Sequence, residues 1–260
     1  MTSCGLAAAH FGIHDVLLEK AIRAAIVGGV SLGGLVSATI AGSLTRASLM
    51  SFLRGSQPIF APNDENRPES AAVAFLPPEP GSPDDEWFYG DHREGVYLGG
   101  DSGLGATKKY RAVLLSGYLD ALRRLEAEVP GGRVVVTEEV DIAVHSPLRV
   151  HAQEATRQIV QEMEFADPVL PLCCWLEQRT IKTGAEVREL FVRNVVQPVS
   201  IVPVYEEMKR NGTRLALIVG PTVFKDTLSF PFPVVHVDRP EAISAAVGAI
   251  FEYGAGLPGE

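Results

Sequence analysis

The stretch KTGAEVREL (residues 182–190) lies between two apolar runs, DPVLPLCCW (167–175) and PVSIVPVY (198–205). A buried strand, a short helix and a second strand are the simplest reading of that order. Thr183 is a plausible helix N-cap, and Glu186 stands three residues later, the spacing of a capping box. The same carboxylate sits at a strand-to-helix junction, where open α/β sheets gather their chemistry. Two readings of Glu186 stay open: a first-turn helix acid held by the cap and the macrodipole, or a catalytic group.

Outward from this stretch the rhythm repeats. GVYLGG (95–100) reads as a strand running into glycines. TKKYRAVLLSGYLDALRRLEAEV (107–129) carries Tyr110, Val113, Leu114, Tyr118, Leu122 and Leu125 at helical spacing, which predicts one long helix. GGRVVVTEEVDI (131–142) reads as a strand after a turn, and HAQEATRQIVQEMEFA (151–166) as a helix. RLALIVG (214–220) and FPVVHV (232–237) are further strands, and RPEAISAAVGAIFEYG (239–254) is a closing helix. Strands alternating with helices predict an α/β fold, Rossmann-like, with an open and mostly parallel sheet covered on both faces.

Three segments are expected: residues 1–55, small-residue-rich, helical and packed on the core or in an interface; 56–94, a Pro-rich acidic linker with one possible short strand at AAVAFL (71–76); and 95–260, the α/β domain. Residues 24–45 carry no charge and are long enough for a bilayer. Five glycines and several Ser and Thr keep their hydropathy modest, so a buried strand–loop–helix is preferred and a membrane span is the lesser reading. The opening MTSCGLAAAHFGIHD lacks a basic start and is not read as a signal peptide.

With 46% hydrophobic and 21% charged residues, the 260-residue chain is expected to bury an ordinary core. Its net charge of −9 argues against broad nucleic-acid binding. Cys173 and Cys174 are adjacent on a strand and point to opposite faces, so no bridge is expected between them. A reducing, cytoplasmic compartment fits that usage. His10 and His14 share a helix face but have no third ligand, and no metal or other cofactor is expected.

Polar groups expected at the carboxyl ends of the strands are Asp101, Ser102, Glu138, Glu139, Glu177 and Glu186, with glycines at 99, 100, 103 and 105. No full dinucleotide fingerprint and no P-loop are read. The sequence is also read as lacking a Ser-centred nucleophile elbow. His145 and His151 are possible acid–base groups, although loop histidines are more often solvated.

The order VYLGG, VVVTEEV, FADPVLPLCCW and KTGAEVREL resembles the nucleoside 2-deoxyribosyltransferase family and its N-glycosidase relatives. TIR domains and lysine-decarboxylase-like phosphoribohydrolases share the layout. The matching residues are Tyr97 before Gly99 and Gly100, Ala166-Asp167 opening a strand, and Gly184-Ala185-Glu186 opening a helix. The resemblance implies an enzyme that cleaves or transfers an N-glycosidic bond of a nucleoside or nucleotide. Glu186 would be its nucleophile, Tyr97 would orient it, and Asp101 or Glu139 would supply a proton to the leaving base. Gly99, Gly100, Ser102, Glu138, Glu139, Asp167 and Glu177 would hold the substrate. A second resemblance, to orotate-type phosphoribosyltransferases, rests on residues 28–34 and on Glu138-Glu139. The third reading is a non-catalytic nucleotide sensor. A homo-oligomer is expected, with no duplex nucleic acid as partner.

Overall fold

In a computed structural model of the chain, residues 2–60, 67–79, 85–137, 140–222 and 225–255 are described. Three helices open it: α1 (Ser3–Glu19), α2 (Leu32–Ile40) and α3 (Arg46–Gly55). Thr2 and Thr45 cap α1 and α3, each accepting a backbone N–H of the first turn through its hydroxyl. Between α1 and α2, residues around Val27 run extended, and Val27 bridges Leu172 in parallel.

The next elements are β1 (Glu69–Leu76), α4 (Asp85–Phe88), β2 (Val96–Leu104), β3 (Arg111–Tyr118), α5 (Leu119–Glu128) and β4 (Val134–Thr137). They follow the β-α-β-β-α-β pattern, with spatial order β4-β1-β3-β2. All three pairings among these four strands are antiparallel. α6 (Val150–Gln161), β5 (Leu172–Cys173), β6 (Thr180–Ile181), α7 (Gly184–Arg193), β7 (Val199–Ser200) and α8 (Val202–Arg210) come next. The short β7 adds to β2 in parallel and completes a five-stranded sheet. β8 (Ala216–Val219), β9 (Val234–Val237) and α9 (Glu241–Glu252) close the chain, with β8 and β9 paired in parallel.

The expectation of an open, mostly parallel sheet is corrected. The fold is mixed α/β, but its largest described sheet is mainly antiparallel. The error began at residues 107–129, read as one helix. Arg111–Tyr118 is instead a strand flanked by β1 and β2, and only Leu119–Glu128 is helical. Its contiguous apolar residues are buried on both faces, as cross-strand packing requires, and that packing overrides the helical spacing. Similarly, PVSIVPVY is not one strand. Two residues of it pair in β7, and Pro203 then sits in the first turn of α8, where its missing N–H costs nothing. The possible strand at AAVAFL lies within β1, with partners on both sides.

Among the described residues, buried apolar side chains form two clusters. One lies between the antiparallel strands and α5 and includes Leu76, Leu115, Leu122 and Leu125. The other gathers Leu35, Leu49, Phe52, Trp175, Leu190 and Phe191 from α2, α3, α7 and the β5 region. Residues 24–45 contribute Val27, Leu35, Val36, Ala38 and Leu44 to this second core. Among the described residues no helix is long and apolar enough to cross a membrane; α2 has only nine residues, about 14 Å of rise against the ~30 Å of a hydrocarbon layer.

Candidate active site

The extended residues before Gly28 are tied to β5 by Val27 N–H to Pro171 O at 2.9 Å and Cys173 N–H to Val27 O at 2.9 Å. The chain then turns sharply and enters α2. At the turn stands Ser31, with φ 52° and ψ −125°. A non-glycine residue in that region costs about 1–3 kcal/mol, and such strain concentrates at functional sites. A Cβ on Gly29 would lie 2.6 Å from the backbone C and O of Gly33, so the residue two before Ser31 cannot carry a side chain. Gly29-Val30-Ser31-Leu32-Gly33 is therefore a G-x-S-x-G turn between an extended segment and a helix, the context a nucleophile elbow requires. The expectation that no such elbow exists is corrected. Its signal was present in the sequence, inside residues 24–45, which were read as a buried strand–loop–helix and, in the second resemblance, as a diphosphate loop.

His145 faces this serine. Its Nε2 is 2.8 Å from Ser31 Oγ, and its Nδ1 is 2.5 Å from the backbone oxygen of Asn194. A carbonyl can only accept, so Nδ1 carries the proton and donates. Nε2 is left to accept from the Ser31 hydroxyl, as a general base must. The imidazole is buried, not solvated as expected of a loop histidine; burial pushes its pKa down to about 4, and the Asn194 hydrogen bond opposes that only in part. Asn194 caps the C-terminus of α7, and its side-chain oxygen accepts Trp175 Nε1–H at 2.9 Å. Trp175 is fully buried, and truncating such a ring costs about 3–5 kcal/mol. A stiff core thus fixes the carbonyl that orients His145.

The residues singled out from the sequence fall in several places. Gly99 is beside the new site: its Cβ would stand 2.4 Å from Ser116 Oγ and 3.2 Å from the carbonyl of Val144, the residue before His145. Gly99→Val is expected to push Val144 outward and lower Ser31 reactivity at least tenfold, while overpacking costs about 1–3 kcal/mol. A labelling rate and a thermal melt measure both effects; unchanged labelling in a folded variant would disprove the coupling. Gly100 pairs with Val199 in the sheet. Tyr97 is half-buried on β2 opposite Ser116. Asp101 accepts Gly103 N–H at 2.7 Å and Arg111 Nη1–H at 2.7 Å, and Ser102 lies in the adjoining β2 irregularity. Glu138 and Glu139 lie outside the described residues.

Asp167, Glu177 and Glu186 gather around α7 and its approach. Asp167 accepts Gly184 N–H at 2.9 Å, and Glu177 pairs with Arg179 and Arg193. Glu186 closes a capping box with Thr183 and also pairs with Arg179 at 2.5 Å. The Lys182 N–H above all, with Arg179 and the Thr183 N–H, holds its pKa down to about 2. Glu186 and Asn194 stand at opposite ends of α7, about 12 Å apart along its axis. No described contact joins Glu186 to Tyr97 or Asp101. Glu186→Ala is expected to cost about 1 kcal/mol through the lost cap and to leave Ser31 chemistry intact. A chemical melt beside a labelling assay checks this, and loss of labelling would return Glu186 to the site.

No protein-family profile and no curated protein sequence matches the chain. Solved structures do. A malonyl CoA-acyl carrier protein transacylase from Clostridium perfringens superposes with a TM-score of 0.81 at 16% identity, over 97% of this chain and 79% of that one. An acyl carrier protein S-malonyltransferase from Vibrio cholerae gives 0.78 at 19% identity, over 94% and 80%. A malonyl-transacylase in complex with its type II PKS acyl-carrier protein gives 0.81 at 17%, over 95% and 80%. At such identities the likeness establishes the fold. It overturns the resemblance to nucleoside deoxyribosyltransferases and, with it, the N-glycosidic chemistry and the nucleoside or nucleotide partner. The orotate-type and nucleotide-sensor alternatives gain no support.

Proposed function

We propose that this chain is a serine acyltransferase that moves an acyl group from one thiol to another through an ester on Ser31. The observation that carries this reading is the Ser31 Oγ–His145 Nε2 contact of 2.8 Å on a strained turn at the head of α2. The fold it shares with malonyl-CoA:acyl carrier protein transacylases supports a thioester donor such as an acyl-CoA and a carrier-protein thiol as acceptor.

The chemistry follows from the residues. His145 Nε2 takes the hydroxyl proton as Ser31 Oγ attacks the thioester carbonyl. The carbonyl oxygen becomes an oxyanion in the tetrahedral intermediate. The first N–H groups of a helix have no intrahelical partner, so Leu32 at the start of α2 offers a donor to that oxygen, aided by the helix dipole. As the intermediate collapses the C–S bond breaks, and the proton on His145 passes to the leaving sulfur. The acceptor thiol then gives its proton to His145, attacks the Ser31 ester and regenerates the hydroxyl. The Asn194 carbonyl stabilises the imidazolium in both halves, in the place that a carboxylate takes in a Ser-His-Asp triad.

Intact-mass measurement tests the reading. Incubation with a panel of acyl-CoA thioesters, malonyl and acetyl among them, should add one acyl group, and digestion should map it to Ser31. A pantetheine thiol added afterwards should carry the group away. Absence of any adduct across the panel would refute the proposal, and loss of the acyl group to water instead of thiol would replace transfer by hydrolysis.

A further inference from the structure

His145 is presented by residues 140–149, which lead into α6, and the first two residues of β1 grip this stretch and the end of β4. Ser70 Oγ–H donates to the carbonyl oxygens of Val140 at 2.9 Å and Thr137 at 3.3 Å. Glu69 Oε2 accepts Ala143 N–H at 2.8 Å, and Glu69 Oε1 accepts from Arg149 Nη2. Inside the loop, Ser146 Oγ–H donates to Ala143 O at 2.7 Å and Arg149 N–H to Ser146 O at 3.0 Å. The Glu69 carboxylate thus binds the chain two residues before His145 and the side chain four residues after it.

The Arg149 and Glu69 side chains are 0% and 2% exposed. Burying an ion pair forfeits the hydration of both charges, and an apolar pair of similar volume often serves stability as well or better. Stability is therefore a weak account of why two charges sit here. Geometry is a stronger one. His145 itself has φ 54°, a backbone state that persists only where its surroundings over-determine it. Glu69 is suited to that task because its own backbone is fixed in the sheet opposite Tyr118.

We infer that Glu69 and Arg149 are positioning residues for acyl transfer: a buried ion pair that holds His145 in hydrogen-bonding register with Ser31. The inference rests on the reading of Ser31 and His145 as the reacting pair. It predicts that removing the ion pair slows Ser31 attack without weakening the binding of what Ser31 attacks.

A fluorophosphonate probe tests this on the full chain, since it reports serine nucleophilicity whatever the natural acyl group. Ser31→Ala is the blank. Glu69→Gln breaks the ion pair, and Glu69→Gln with Arg149→Met removes it without leaving a lone buried charge. Both are expected to lower the maximal phosphonylation rate at least tenfold with the probe's half-saturation unchanged. The acid limb of the rate should also move up in pH, as a loosened His145 gains water. A folded double variant with wild-type rate and wild-type pH profile overturns the inference and leaves the acyltransferase reading standing. Failure of the wild-type chain to label at Ser31 defeats that reading and this inference together. If the double variant does not fold, Glu69→Asp, which keeps the charge and shortens its reach, decides on the same two readouts.

Discussion

Ser31→Ala is expected to lower acyl transfer by about a thousandfold or more, since removing the nucleophile leaves only binding and oxyanion stabilisation. The free-thiol release from an acyl-CoA donor measures it. The same substitution should leave the fold intact, because the hydroxyl's described partner is His145 and not a structural group. Ser31→Gly carries a second expectation. Ser31 pays for φ 52° in strain that glycine does not feel. Ser31→Gly should therefore match Ser31→Ala in inactivity and exceed it in stability by about 1 kcal/mol. An active Ser31→Ala variant would remove the serine from the mechanism. A glycine variant no more stable than the alanine one would show that the turn is not strained.

The α/β character and most helices were legible because amphipathic runs such as those in α5, α6 and α9 have one period and few competitors. Strand direction was not legible. Parallel and antiparallel strands that are buried on both faces give the same apolar runs, and only pairing distinguishes them. β3 shows this most clearly. Tyr110, Val113, Leu114 and Tyr118 fit a helix as well as anything nearby, yet their fate was set by β1 and β2, 35 and 7 residues away at nearest approach in sequence (Leu76 to Arg111, Leu104 to Arg111). The Pro-rich composition around AAVAFL pointed to a linker with one possible short strand, and that strand lies inside the sheet, between β4 and β3.

The site was legible in part, and was passed over. G-x-S-x-G after an apolar run and before a helix is a local pattern, and every element of it stood in residues 24–40. Its glycines were counted as hydropathy breakers and as a phosphate loop instead. His145 carried no comparable local signal. Its partner on one side is 114 residues away and on the other 49 residues away, so only folding could join them. Glu186 drew attention because its neighbours make a clear helix start, and in the structure it serves that start. Gly99 was noticed as a place where a ligand could approach the backbone; what stands nearest to it is the Ser116 hydroxyl, followed by the Val144 carbonyl in the His145 loop.

Acidification supplies the other large effect, through His145. Its folded pKa is about 4 and its ordinary value 6.5. Between those values the unfolded chain binds a proton that the folded chain refuses, so stability rises with pH across the window. The contribution is whole above pH 6.5, declines as pH falls and is gone below about 4. The fall from 6.5 to about 4 corresponds to about 3 kcal/mol. His14, also lowered chiefly by burial, tilts the curve the same way, and Glu186 acts in a lower window, between its ordinary 4.5 and about 2. The difference between the wild-type chain and His145→Gln isolates the one group. Glutamine does not titrate, so the variant should lose slope between pH 6.5 and 4 and keep it below. Activity should follow the same proton: the acid limb of transfer should fall near pH 4, where a solvated imidazole would fail near 6.5, and His145→Gln should be slower by about a thousandfold above that limb, with the gap narrowing below it. An acid limb near 6.5 would mean that water reaches the imidazole. An unchanged stability slope in His145→Gln would mean that other groups carry the acid sensitivity.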